Sequence, residues 1–145
     1  MRYELVQPAN LHSAWPDVLL GIDRIHEKSS ERWLAEDVYC HIRTGAAQLF
    51  RCYDGDVYRG FILTETKRES FTNEATLHVW LIYGEPQYGN FADAAPFVTE
   101  SVNFLDSVAR ANKATLMTFD GRFGWREMLK GWFKPVKVRY ERRVT

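Results

Sequence analysis

Histidine is the side chain best suited to moving protons near neutral pH, and the chain contains four: His12, His26, His41 and His78. They do not follow H-E-x-x-H or a comparable metal-binding spacing. No G-x-S-x-G turn presents a serine nucleophile. The sequence therefore predicts no metal centre and no serine-hydrolase site.

Two other patterns near the C-terminus could bind phosphate or bases. Gly121–Arg126 is glycine-rich but lacks the lysine of a phosphate-binding P-loop, so we interpret it as the entry to a helix. Trp125, Trp132 and Phe133 lie among basic residues and could stack on bases, although core packing is the favoured interpretation. Basic and acidic residues number 19 each. This balance gives no electrostatic argument for nucleic acid or an anionic membrane.

The elements that position these residues begin with a strand and two helices. Arg2–Val6 alternates polar and apolar residues, which predicts a strand. A helix capped by Asn10 or Ser13, with Pro16 in its first turn, is predicted to run to about Lys28. A second helix is predicted from a Ser29-Ser30 cap to a stop at Gly45.

Three antiparallel strands follow. Gln48–Tyr53 and Val57–Thr66 flank Asp54-Gly55-Asp56, and Asp-Gly is a strong hairpin signal. Ala75–Tyr83 is rich in β-branched and aromatic residues and predicts the third strand.

The second half of the chain is predicted to alternate helices and strands. A long helix opens at Pro96 and ends at Asn112 or Lys113, followed by a strand over Thr115–Phe119. A short helix over Phe123–Lys130 and a last strand over Pro135–Val144 complete the order. The strands on either side of the long helix must be parallel, because a helical crossover joins them. One mixed sheet with helices on both faces, in a single domain of 145 residues, is the prediction.

The chain also carries signs of its compartment. Cys40 and Cys52 form no C-x-x-C pair, which is typical of reduced thiols in the cytosol, although a disulfide between them stays open. The N-terminus lacks the apolar core of a signal peptide. No apolar run approaches the ~18 residues that span a bilayer. These features predict a cytoplasmic protein without a membrane partner.

The order of elements resembles that of the GNAT N-acyltransferase superfamily over nearly the whole chain. Tyr3–Asn10 resembles the family's opening strand and first turn. Gly60-Phe61-Ile62 resembles its glycine-containing strand, and Gly131-Trp132-Phe133 its glycine and aromatic before the last strands. The resemblance implies an α/β (α+β) fold: a mixed, mostly antiparallel sheet flanked by about four helices on both faces.

The resemblance also implies acetyl-CoA as the cofactor, held where the fourth and fifth strands separate. The pantetheine would pair with Val79, Trp80, Leu81 and Ile82. The pyrophosphate would bind Gln87, Gly89 and Asn90 and the following helix start. The chain departs from the family's Q/R-x-x-G-x-G/A spacing. It places Phe91 and Asp93 where small, uncharged residues are expected; Asp93 would repel a pyrophosphate or, alternatively, cap the helix.

The catalytic candidates are likewise implied by the resemblance. Many members use a glutamate on the fourth strand as base, where this chain has His78; a histidine at a strand edge also serves packing. The family's acid is often a tyrosine in the fourth helix. Here Glu127 lies near that position, and Tyr140 on the last predicted strand is a substitute whose alternative role is core packing.

Two functions stay open. The first is acetyl-CoA-dependent transfer to a small amine or a protein amine. Because the coenzyme loop and the catalytic residues depart from the family pattern, the sequence does not establish that the protein catalyses this transfer. The second is a non-catalytic GNAT-fold protein that binds a macromolecular partner. The chain is similar in style to small GNAT-like bacteriophage proteins, some of which are virion components. The predicted location is accordingly the cytoplasm of a bacterium or phage-infected host, or a virion.

Overall fold

A five-stranded sheet organises the molecule. The computed structural model describes residues 1–29, 31–85, 91–121, 127 and 129–144, without the side chains of 91–97. The strands lie in chain order, the first four antiparallel and the fifth parallel to the fourth. The elements are β1 Arg2–Val6, α1 Leu11–His26, α2 Ala35–Arg43, β2 Gln48–Asp54, β3 Val57–Arg68, β4 Ala75–Gly84, α3 Phe91–Ala111 and β5 Leu116–Phe119.

Alternate strand residues build a separate core on each face of the sheet. In β2, Leu49 packs into the core beneath α1 and α2, and Phe50 packs into the core beneath α3, because successive strand side chains point to opposite faces. Helices therefore cover both faces of a mixed α+β fold, which confirms the predicted fold class. The described residues give three complete α-helices and one 3-10 turn over Pro8–Asn10, against about four helices predicted. Of the fourth predicted helix, residues 127 and 129 are helical and most others are not described.

The hairpin between β2 and β3 forms where the sequence predicts it. Gly55 has a φ of 61°, a left-handed conformation that glycine adopts without a steric penalty. The parallel pairing of β4 with β5 across α3 also agrees with the prediction. Local turn chemistry and the crossover rule are sufficient for these features.

The sequence predicts the first residues of the helices incorrectly. α2 begins at Ala35 rather than after Ser29, because the Asp37 carboxylate accepts a hydrogen bond of 2.7 Å from the Leu34 N–H and caps the helix there. α3 begins at Phe91, and Pro96 lies inside it. The alanine-rich stretch before Pro96 favours helix strongly enough to extend it toward the N-terminus. Pro16 likewise lies inside α1 rather than in its first turn.

The C-terminal segment differs most from its prediction. Residues 135–144 form no strand in the part of the chain that the structure describes. Val136, Val138, Tyr140 and Val144 are 77%, 56%, 90% and 96% exposed. A strand exists only through hydrogen bonds to a neighbour, and no described strand pairs with this segment. Most of the predicted helix over residues 123–130 lies outside the described residues. Among the described helices, none is long and apolar enough to cross a membrane.

Candidate active site

Within the described residues, the edge of β4 that faces β5 is unpaired along half of its length. β4 pairs with β5 only from Thr76 to Val79, whose partner is Phe119. The strand continues for five more residues, 80–84, which have no strand partner on that side among the described residues. Their backbone N–H and C=O groups can therefore pair with an extended ligand, as an added strand would.

A β-bulge at Trp80 sits where this pairing stops. Leu63 and Thr64 of β3 are partners of Leu81 and Val79, so Trp80 is the extra residue. Val79 consequently packs in the core beneath α3, and Leu81 in the core beneath α1 and α2. Bulges bend a strand and redirect its side chains, and they are common next to active sites.

Aromatic side chains surround Trp80 on the α1 and α2 side of the sheet. The Trp80 ring contacts Trp33 and His41 edge to face, with ring centroids 5.8 and 5.2 Å apart. Trp33 lies 4.4 Å from the His26 ring, and the His26 Nε2 lies 3.0 Å from the Trp33 carbonyl oxygen. These contacts hold the segment before α2 against the open part of β4.

His78 lies two residues before the bulge, in the last row but one of the β4–β5 pairing. Its Nδ1 is 3.0 Å from the Thr118 Oγ1. Burial lowers the pKa of His78 below its usual 6.5, with Lys67 contributing and Asp120 and Glu65 opposing. A half-buried imidazole with a lowered pKa is neutral at pH 7, so it has a lone pair available to accept a proton.

A polar cluster that the sequence analysis did not predict lies at the C-terminal end of β4. Arg24 of α1 donates hydrogen bonds to the Tyr83 hydroxyl and, at 3.3 Å, to the Glu85 carboxylate. The Tyr83 hydroxyl also donates to Glu85, at 3.3 Å. Burial raises the pKa of Tyr83, so it stays a neutral donor. Arg24 thus partly neutralises the charge of Glu85 next to the segment predicted to hold pyrophosphate. No sequence motif indicates this contact between α1 and the end of β4.

The other two catalytic candidates, Glu127 and Tyr140, are both exposed. The Glu127 carboxylate is exposed and forms an ion pair of 3.0 Å with Lys130. Tyr140 is 90% exposed in the C-terminal segment, not packed in the core. Gln87, Gly89 and Asn90 lie outside the described residues, and α3 begins directly after them.

The two cysteines do not form a disulfide with each other. Cys40 is exposed on α2, and Cys52 is buried on β2; both are free thiols. Burial raises the pKa of Cys52 to about 12, which keeps that thiol protonated and unreactive. In the described part of the chain no group of three potential ligands could hold a metal ion.

Comparisons with known proteins find the fold but no close relative. No family model matches the sequence, and no curated protein does. Among solved structures, a predicted acetyltransferase with acetyl-CoA from Clostridium acetobutylicum aligns with a TM-score of 0.69 and 11% identity, over 98% of this chain and 95% of the other. A ribosomal-protein-alanine N-acetyltransferase from Brucella melitensis biovar Abortus 2308 gives 0.66 and 13%, over 99% and 100%.

A third match has a named small molecule bound. It is an aminoglycoside acetyltransferase from an uncultured soil metagenomic sample in complex with sisomicin, with a TM-score of 0.67 and 7% identity, over 99% of this chain and 96% of that one. Identities this low show the fold alone. The alignments nevertheless cover nearly the whole of each chain, and the same order of strands and helices is what the sequence resemblance implies. The chain therefore has the fold of the GNAT acetyltransferases.

Proposed function

We propose that this protein transfers an acetyl group from acetyl-CoA to an amine. The observation that carries the proposal is the end of β4–β5 pairing at Val79, which leaves residues 80–84 without a strand partner on that side within the described part of the chain. An acyl-pantetheine arm is extended and contains amide groups, so it can pair with a strand edge. The fold supports the proposal, and one structure of that fold is described with acetyl-CoA.

Backbone groups of Val79, Trp80, Leu81 and Ile82 would bind the pantetheine arm. Ile82 is 41% exposed and Trp80 is partly exposed, so the arm has accessible apolar surface beside the backbone. Gln87, Gly89 and Asn90, with the start of α3, would bind the pyrophosphate. A helix start suits an anion because its first N–H groups lack intrahelical acceptors.

His78 would act as the general base. Bound acetyl-CoA supplies a thioester whose carbonyl carbon accepts the amine. His78 takes one proton from the acceptor ammonium, and the neutral nitrogen forms the new C–N bond. As the C–S bond breaks, the nitrogen loses its second proton, which balances the proton that the departing thiolate gains. The departing thiolate needs a proton donor; Glu127 and Tyr140, both exposed here, stay predictions for that role.

The acceptor is an amine whose class stays open between a small molecule and a protein. Structures of the same fold include an aminoglycoside acetyltransferase and a ribosomal-protein-alanine N-acetyltransferase, one of each class. On the α1 and α2 side of β4 the acceptor would meet the aromatic surface formed by Trp33, His41 and Trp80. This surface favours an amine attached to an apolar or aromatic group.

Thermal unfolding with and without acetyl-CoA tests the proposal. A ligand that binds only the native state at 100 times its Kd stabilises a protein by about 2.7 kcal/mol. For a domain of this size that corresponds to a Tm increase of roughly 5–10 °C. ATP at the same concentration is the control for non-specific anion binding. A Tm unchanged at millimolar acetyl-CoA, or raised equally by ATP, would count against the proposal.

A non-catalytic, partner-binding role is the second candidate. The exposed side chains of Val136, Val138, Tyr140 and Val144 favour it, because large apolar groups exposed in series often mark a contact surface. A flat acetyl-CoA titration together with stable self-association or assembly in solution would support this candidate. A monomer that transfers acetyl groups would contradict it.

A further inference from the structure

Three side chains form a row across β3, β4 and β5. His78 has Glu65 of β3 and Thr118 of β5 as its two cross-strand partners. Its side chain points away from Leu77 and Val79, which are buried beneath α3. The row therefore lies on the other face of the sheet, on the same side as the Trp80 ring. It places the imidazole close to the point where β4 and β5 separate.

Thr118 is the group that hydrogen-bonds the His78 ring. The Thr118 Oγ1 lies 3.0 Å from Nδ1, and both side chains are partly buried. A neutral imidazole carries its proton on one nitrogen only, and a partner on one nitrogen determines the state of the other. If Nδ1 donates to the hydroxyl, Nε2 has the free lone pair. If the hydroxyl donates, Nε2 carries the proton and cannot accept one.

We infer that Thr118 is a positioning residue for His78. Its hydroxyl accepts a hydrogen bond from Nδ1–H, which leaves Nε2 free to take the proton of the amine substrate. The inference rests on the proposed function, since a general base at His78 requires an unprotonated Nε2. The tautomer can nevertheless be measured without any transfer assay. Nothing in the sequence motifs marks Thr118, because it is 40 residues from His78 and meets it only through parallel pairing.

Charged groups near His78 oppose one another. Lys67 of β3 disfavours the imidazolium, whereas Glu65 of β3 and Asp120 after β5 favour it. Lys67 and Glu65 are also paired with each other at 3.4 Å. These opposing charges do not fix which nitrogen is protonated. Because Thr118 contacts Nδ1, Nε2 is the nitrogen left to act as the base, and it can do so only if Nδ1 carries the proton.

Nitrogen-15 NMR of the histidine-labelled protein tests the tautomer without any enzyme assay. We expect neutral His78 to carry its proton on Nδ1 in the wild type. Thr118→Val keeps the side-chain shape and the strand preference but removes the hydroxyl, so His78 should shift toward the Nε2–H form. Thr118→Ser should restore the wild-type pattern. Thr76→Val is the matched control, since Thr76 lies on the same face two residues from His78.

Wild-type His78 protonated on Nε2, or a tautomer unchanged in Thr118→Val, would overturn the inference. In the transfer assay, Thr118→Val should lower kcat about 10-fold with the KM for acetyl-CoA unchanged, and Thr118→Ser should recover it. Equal loss in the valine and serine variants would also contradict the positioning role. If no transfer is detected in the wild type but the Nδ1–H form is found, the proposed function fails and the tautomer assignment stands.

Discussion

We expect His78→Gln to lower kcat for acetyl transfer by about 10²- to 10⁴-fold, the usual contribution of a general base. Glutamine keeps hydrogen-bonding groups near Thr118 but cannot take the proton of the amine substrate. Binding of acetyl-CoA should persist, because the proposed binding groups are backbone groups of β4, which the substitution leaves in place. Steady-state kinetics and a coenzyme titration measure the two effects separately.

His12→Gln is the matched control, because His12 is exposed on α1; its activity should equal that of the wild type. The pH dependence gives a second check. Burial lowers the pKa of His78 below 6.5, so the base is neutral above that lowered pKa and protonated below it. The wild-type kcat/KM should therefore stay level down to that lowered pKa, which lies below 6.5, and fall only at lower pH. Wild-type activity in His78→Gln would exclude this residue as the base.

We expect Gly60→Ala to destabilise the fold by about 4 kcal/mol or more, among the largest effects of single substitutions. A Cβ at Gly60 would stand 1.9 Å from the Tyr83 carbonyl oxygen, and Gly60 has a φ of 148°. The oxygen in this clash belongs to the backbone of β4, and the new Cβ would be fixed to the paired backbone of β3, so neither can move without opening the β3–β4 ladder. Denaturant unfolding measures the loss, and failure to obtain folded protein is its extreme form.

Gly84→Ala is the control for this substitution. Gly84 is the cross-strand partner of Gly60, yet a Cβ there meets nothing within 4 Å. Its free energy of unfolding should change by less than about 0.5 kcal/mol. Similar stabilities of the two variants would contradict the close approach of β3 and β4 at Gly60.

Features that depend on local chemistry could be predicted from the sequence. The strands of the β2–β3 hairpin follow from alternation and Asp54-Gly55, and the parallel pairing of β5 follows from a long helix between two strands. The resemblance gave Gly60 only as a family feature, whereas the structure explains it by the approach of Tyr83. His78 could be named because histidine is the one proton-transfer group on β4 with a pKa near neutral.

Features that depend on contacts between distant segments could not be predicted from the sequence. The bulge at Trp80 arises from the register of β3 against β4, which no local pattern encodes. Thr118 and the Arg24–Tyr83–Glu85 cluster come together only through tertiary packing. The alternating pattern of residues 135–144 predicts a strand, but alternation does not supply the neighbour that a strand needs. Tyr140 is therefore exposed rather than packed.

A crystal structure of the protein with acetyl-CoA tests the central claim most directly. We predict that the pantetheine arm lies along residues 80–82, between β4 and β5, with its thioester on the side of the sheet that carries His78. A complex in which the coenzyme binds elsewhere, or one in which another strand occupies the edge of β4 at 80–84, would contradict it.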